Sequence, residues 1–149
     1  MPITGEVTSC SSGPLPGNLL FVSPVRRDHA ALRHILRWKA LPISAASCRR
    51  ALRQLRQTPV PIVLCDRDLP DGSWLDILGR AASRPLVIVA SRLADERLWS
   101  EVLNLGAFDL IAKPFSASDV LHVLSAAWLH AQALRRPGRT ALPDRLSAS

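Results

Sequence analysis

Long apolar runs are missing from this 149-residue chain. A helix needs about 20 consecutive apolar residues to cross a bilayer, and the longest runs here, such as Leu86 to Ala90, are short enough for strands. No membrane partner is expected. The amino terminus lacks a basic start followed by an apolar stretch, so nothing signals secretion. Cysteine is scarce: Cys10, Cys48 and Cys65 are widely spaced and show no metal-ligand pattern. Three scattered thiols read as reduced and cytoplasmic. Aromatic residues make up only 5% of the chain, with no stacking platform for RNA, and no zinc-finger spacing is present. A Walker loop and a dinucleotide fingerprint are also absent.

What is present fits one globular domain with a single well-formed core. Hydrophobic residues supply 48% and charged residues 21%. The net charge of +7 comes from seventeen arginines and two lysines, Lys39 and Lys113, against twelve acids. That excess is diffuse. Arg49, Arg50, Arg53 and Arg56 line the polar side of one helix, and Arg135, Arg136, Arg139 and Arg145 sit near the carboxyl end. Solvated helix faces explain them better than a nucleic-acid surface, so direct DNA binding is not expected.

Residues 1–17 are rich in Ser, Gly, Pro and Thr and read as a flexible leader; residues 135–149 read as a flexible tail. Between them, over 18–134, the pattern alternates. Leu19 to Val22 is a first strand, followed by a helix from about Val25 to Lys39 with Leu32, Ile35 and Leu36 on one stripe. Ile43 to Ala46 is a weak second strand. Ser47 then caps a helix that buries Ala51, Leu52 and Leu55. Val60 to Cys65 is a buried third strand, and the next helix carries Trp74, Leu75, Leu78 and Ala81. Leu86 to Ala90 is a fourth strand. The fourth helix, Asp95 to Leu105, buries Leu98, Val102 and Leu105, and Gly106 closes it. Phe108 to Ala112 is the fifth strand. The last helix, about Ser116 to Leu134, shows an apolar face of Val120, Val123, Leu124, Ala127 and Ala131. Five strands alternating with five helices predict an α/β fold with a parallel sheet and right-handed crossovers.

The most informative segment runs from Pro61 to Gly72. An apolar strand ends in Cys65-Asp66-Arg67-Asp68, and Leu69-Pro70-Asp71-Gly72 is turn chemistry. Asp66 thus falls at the carboxyl end of a buried strand, where open α/β sheets place their ligands. An acid there serves as a nucleophile, a metal ligand or a cap for the turn. Ser91 ends strand four and Lys113-Pro114 ends strand five, at the same sheet edge. A carboxylate can attack phosphorus to form an acyl phosphate; a hydroxyl and an ammonium nearby can hold the phosphoryl oxygens. The Lys113-Pro114 bond is a candidate for the cis form, aiming the lysine back at the site. Cys65, inside the strand, reads as a small core residue.

The order Asp66-Arg67-Asp68-Leu69-Pro70-Asp71-Gly72, Ser91-Arg92, Leu105-Gly106-Ala107 and Lys113-Pro114-Phe115 resembles the receiver domain of bacterial two-component response regulators. The resemblance implies a flavodoxin-like (βα)5 doubly wound sheet with strand order 2-1-3-4-5. It gives Asp66 the phosphoacceptor role, Ser91 the switch hydroxyl and Lys113 the phosphate-binding lysine. It also implies magnesium, with Asp66 and the backbone carbonyl of Asp68 as ligands. The chain departs from the family pattern in two respects. Ser23 and Pro24 stand where a pair of acids normally holds the metal, so magnesium binding is expected to be weak, with Asp68 or Asp28 as compensating carboxylates. Leu110 stands where the family has an aromatic ring that swings with the hydroxyl, so a subtler switch is expected.

The function so implied is a single-domain receiver, not an enzyme. It takes phosphate from a histidine kinase and docks to a downstream protein; with only about fifteen residues after the last helix, no output domain is expected. The alternative is a degenerate receiver that binds partners without phosphate. Asp66-Arg67-Asp68 also mimics the nucleophile motif of haloacid-dehalogenase-like phosphatases, but Pro70 and the lack of an acidic pair after Lys113 disfavour that reading. Trp38 and Trp74 read as core or core edge. Trp99 falls off its helix stripe and, with Leu103, marks a face for docking or a homodimer. His29, His34, His122 and His130 share no face and are assigned no metal.

Overall fold

In a computed structural model of the chain, residues 19–37 and 39–135 are described. The leader, most of the tail, Cys10 and Trp38 lie outside them. Five parallel strands form one sheet among the described residues: β1 (Leu19–Val22), β2 (Ile43–Ala45), β3 (Ile62–Asp66), β4 (Leu86–Ser91) and β5 (Asp109–Ala112). Their spatial order is β2-β1-β3-β4-β5, the order 2-1-3-4-5 of the flavodoxin-like fold. The helices are α1 (Arg26–Leu36), α2 (Cys48–Gln57), α3 (Trp74–Arg80), α4 (Glu96–Leu105) and α5 (Ala117–Arg135). No helix among the described residues is long and apolar enough to cross a membrane.

The period of two along each strand divides the core into two layers. Leu20, Val22, Val63, Cys65, Val87 and Val89 face one side and pack with Ala51, Leu55, Ile77 and Val102 of α2, α3 and α4. Leu19, Phe21, Ile62, Leu64, Ile88 and Ile111 face the other side and pack with Leu32, Leu36, Val120 and Leu124 of α1 and α5. Both faces of the sheet are therefore covered, which explains why β3 and β4 are continuously apolar up to their last residues, Asp66 and Ser91. Each fully buried Leu, Ile or Phe contributes roughly 1.5–3 kcal/mol relative to exposure.

Helix starts follow the capping residues. Ser47 accepts the Arg50 N–H, Ser73 forms a reciprocal capping box with Asp76, and Asp95 accepts the Leu98 N–H. Two helix stripes differ from the sequence reading. In α3 the buried residues are Trp74 and Ile77, followed by Ala81 just beyond the helix, while Leu75 points to solvent. In α4, Leu98 and Val102 are buried but Leu105 is 47% exposed. Gly106 explains this. At φ 116° it ends α4, its N–H reaches the Leu103 carbonyl, and the Ala107 N–H reaches the Val102 carbonyl. The left-handed turn follows Leu105 directly, and Ala107, just beyond it, takes the buried position. A two-residue antiparallel ladder, Asp68–Leu69 with Gly72–Ser73, also organises the loop after β3.

A side chain on Gly106 would be strained at this φ, and its Cβ would stand 3.1 Å from Leu78 Cδ2. Gly106→Ala is expected to destabilise the fold by about 1–3 kcal/mol. A lowered urea midpoint at unchanged slope is the expected outcome; an unchanged midpoint would contradict this account of the helix end.

Candidate functional site

Strand register assembles the site. Val22 pairs with Cys65, so the next residues along, Ser23 and Asp66, flank each other beyond the β1/β3 ladder. Asp66 pairs with Ala90, and Ser91 with Ala112, so Ser91 and Lys113 follow at the same edge. The Lys113-Pro114 peptide bond is cis, and the Lys113 N–H donates to the Ser91 carbonyl at 3.0 Å. Ser23, Asp28, Asp66, Ser91 and Lys113 are all buried, and they form the buried polar set of the described residues.

The centre of this set is the Lys113 ammonium. Its Nζ donates to Asp28 Oδ2 at 2.5 Å and lies 2.9 Å from Asp66 Oδ1. This second contact is an ion pair, and Oδ1 accepts no well-aligned hydrogen bond from any described residue. Asp66 Oδ2 is held by the Ser23 hydroxyl, which donates at 2.7 Å and accepts the Val25 N–H at 3.0 Å. The Ser23 carbonyl is in turn 2.8 Å from His29 Nε2, and the His29 ring packs on Phe21 with centroids 4.5 Å apart. Arg92 approaches Asp28 Oδ1 at 4.0 Å from a half-exposed position. Two carboxylates thus face two cations in a largely dry setting.

The structure brings Asp66 and Lys113 into direct contact, and it places Ser91 at the same edge with its hydroxyl hydrogen-bonded elsewhere. The Ser91 hydroxyl accepts the Leu93 N–H at 3.1 Å and so caps its own loop. Asp68 carries an exposed side chain that reaches none of these groups. Asp28, one of two compensating acids offered by the sequence, is the one that joins the site. Its signal was available: Asp28, Leu32 and Leu36 lie four residues apart on one helix face, and all three are buried. Ser23 and His29 took part unforeseen, as a hydrogen-bond donor to Asp66 and as the anchor of its turn. Leu110 is partly buried against the apolar core.

Magnesium favours carboxylate and water oxygens in near-octahedral array. Around Asp66 one oxygen takes the Ser23 hydroxyl and the other faces the Lys113 ammonium, while Asp28 is bound to that same ammonium. Among the described residues no group of three His, Cys, Asp or Glu side chains is arranged to hold a metal ion. The residues present do not fit a magnesium site.

Below the site, Asp71 accepts the backbone N–H groups of Cys48 and Arg49 at 2.8 and 3.0 Å, tying the β3 loop to the start of α2. Those bonds hold its carboxyl below the usual aspartate range. A depressed value favours the fold at neutral pH, and that support fades as acid protonates Asp71. Burial, then the charges of Asp71 and Asp76, push the Cys48 thiol up to about 11. Burial, followed by the Asp66 charge, likewise raises Cys65. Both thiols stay protonated at neutral pH, as expected of core residues.

This edge of a doubly wound sheet, with an aspartate ending the central strand and a lysine beside it, defines a receiver-type signalling domain. The profile of the response regulator receiver domain family matches residues 28–125, and the chain belongs to that family. Its curated relatives include the transcriptional regulatory protein KdpE of Mycobacterium tuberculosis, 37% identical over 87 residues. That match covers 57% of this chain and 38% of KdpE, so the chain spans well under half of that relative. Among solved structures, the receiver domain of an HD domain-containing protein from Pseudomonas fluorescens superimposes with a TM-score of 0.70 at 19% identity, covering 91% of this chain and 96% of its own. The chemotaxis response regulator CheY4 of Vibrio cholerae gives 0.63 at 18% identity, covering 74% and 97%. Identities this low show the shared fold alone.

Removing the ammonium leaves two buried carboxylates facing each other without their common partner. Lys113→Ala is therefore expected to cost about 3–5 kcal/mol, read as a lowered denaturant midpoint near neutral pH. A loss under ~1 kcal/mol, the range of exposed pairs, contradicts the buried-pair description.

Proposed function

We propose that this receiver accepts a phosphoryl group on Asp66 from a histidine kinase in the cytoplasm and passes the state on by docking to another protein. One observation carries the reading: the Lys113 ammonium lies 2.9 Å from an Asp66 oxygen that accepts no well-aligned hydrogen bond. In the transfer an Asp66 oxygen bonds to phosphorus as the bond from phosphorus to the donor breaks. The donor leaves with that electron pair, as acetate from acetyl phosphate or as an imidazole that takes up a proton. Lys113 is placed to offset the charge carried by the new acyl phosphate. Ser91 stands one register step away; turning its hydroxyl toward the phosphoryl oxygens requires release of the Leu93 N–H.

Incubation with acetyl phosphate in magnesium buffer is expected to add one phosphoryl mass to the intact chain, and Asp66→Asn to abolish it. Absence of the adduct in the wild type, with acetyl phosphate and with a kinase donor alike, overturns the reading. A second reading, docking without phosphate, draws on the engagement of both Asp66 oxygens and on Leu110. It predicts that Asp66→Asn leaves partner binding unchanged.

The docking face we assign is that of α4 and β5. Trp99 is 48% exposed there, with its indole N–H donating to Asp109 Oδ1 at 3.2 Å. Leu103 lies half-buried on the same helix. If a second copy is the partner, sedimentation at high concentration is expected to show dimers that Trp99→Ala reduces to monomers. A monomeric wild type under those conditions removes the homodimer.

A further inference from the structure

Receivers of this family are expected to hold a divalent cation beside the phosphoacceptor, and the groups around Asp66 serve other cations instead. The Ser23 hydroxyl that donates to Oδ2 is 1% exposed and is itself fixed, from one side by the Val25 N–H and through its carbonyl by His29. The Lys113 ammonium that faces Oδ1 is also buried and bridges to Asp28, the only other buried acid of the site. Arg92 faces the remaining oxygen of Asp28. An entering divalent ion must dislodge the ammonium from between the two carboxylates or turn the serine O–H away. It would also add two charges to a cluster whose acids already face cations of the chain. Such ions give up their water reluctantly and need several oxygens at about 2.0–2.1 Å.

We infer that the Asp66 site is closed to magnesium by Ser23 and Lys113, and that Lys113 and Arg92 supply from within the chain the positive charge that a metal supplies in other receivers. The closure stands on the hydrogen bonds and ion pairs of the chain as it folds. Only the use of those cations by a phosphoryl group rests on the function proposed above.

Magnesium titration of the isotope-labelled full chain, followed by amide NMR, tests the closure without any phosphoryl donor. The wild-type amides of Asp28, Asp66 and Ser91 are expected to hold their positions through tens of millimolar magnesium. Ser23→Asp returns an acid to the register position beside Asp66, and Lys113→Met removes the resident cation. Each is expected to bring saturable shifts, with affinity gained roughly ten-fold or more. Ser23→Asp keeps the ion pair, so it preserves the test if Lys113→Met does not fold. Saturable low-millimolar shifts in the wild type overturn the inference. A folded variant as unresponsive as the wild type overturns the assignment of closure to the side chain it replaces. Phosphoryl transfer separates this inference from the function: an adduct that forms equally in chelator and in magnesium supports both. An adduct that requires magnesium overturns the inference alone. No adduct in either buffer counts against the function, and the titration still decides the closure.

Discussion

The site is organised around one buried nitrogen. Lys113 Nζ lies within 3 Å of both Asp28 and Asp66, which arrive from α1 and β3, while the lysine follows β5. Two acids could not share this dry corner without a common counter-ion, because the attraction lost and the solvation never regained would each count in full. The contact therefore joins three elements that are far apart in sequence. It also holds α1 against the edge of the sheet, since Asp28 belongs to the same helix face as Leu32 and Leu36.

The rest of the fold delivers those groups to one place. Parallel register carries Ser23, Asp66, Ser91 and Lys113 to a single edge, and the two apolar layers leave that edge as the place where polar side chains converge. Turn chemistry completes it. The Ser73 capping box starts α3 immediately after the β3 loop, and Asp71 ties the same loop to α2. The loop that follows Asp66 is thus held to both α2 and α3.

Much of this was legible in the sequence, for reasons that differ by element. β3 and β4 are buried on both sides and so appear as unbroken apolar runs, while the strand-end position of Asp66 and the Lys113-Pro114 signal follow from local chemistry. The α4 stripe failed at Leu105 because helical periodicity ignores where a left-handed glycine ends the helix, and Gly106 gave Leu105's place to Ala107. In α3 the seven-residue length left room for only one apolar stripe, and Ile77 rather than Leu75 occupies it. The sequence offers Asp28 as a candidate acid but does not place it, since a carboxylate on an apolar helix face declares itself only when its counter-ion is known. Ser23 is legible as the residue that replaces a metal-binding acid, but its role as a donor to Asp66 becomes visible only when register sets the two side by side.

In a chain that answers nearly every need for positive charge with arginine, position 113 keeps an amine. A guanidinium is a flat fork suited to gripping one carboxylate with two nitrogens. The gap here instead asks a single tetrahedral nitrogen to touch two carboxylates from different elements at once. Geometry of that kind makes the residue irreplaceable by its nearest chemical cousin, so arginine at this position would split the pair it is meant to join.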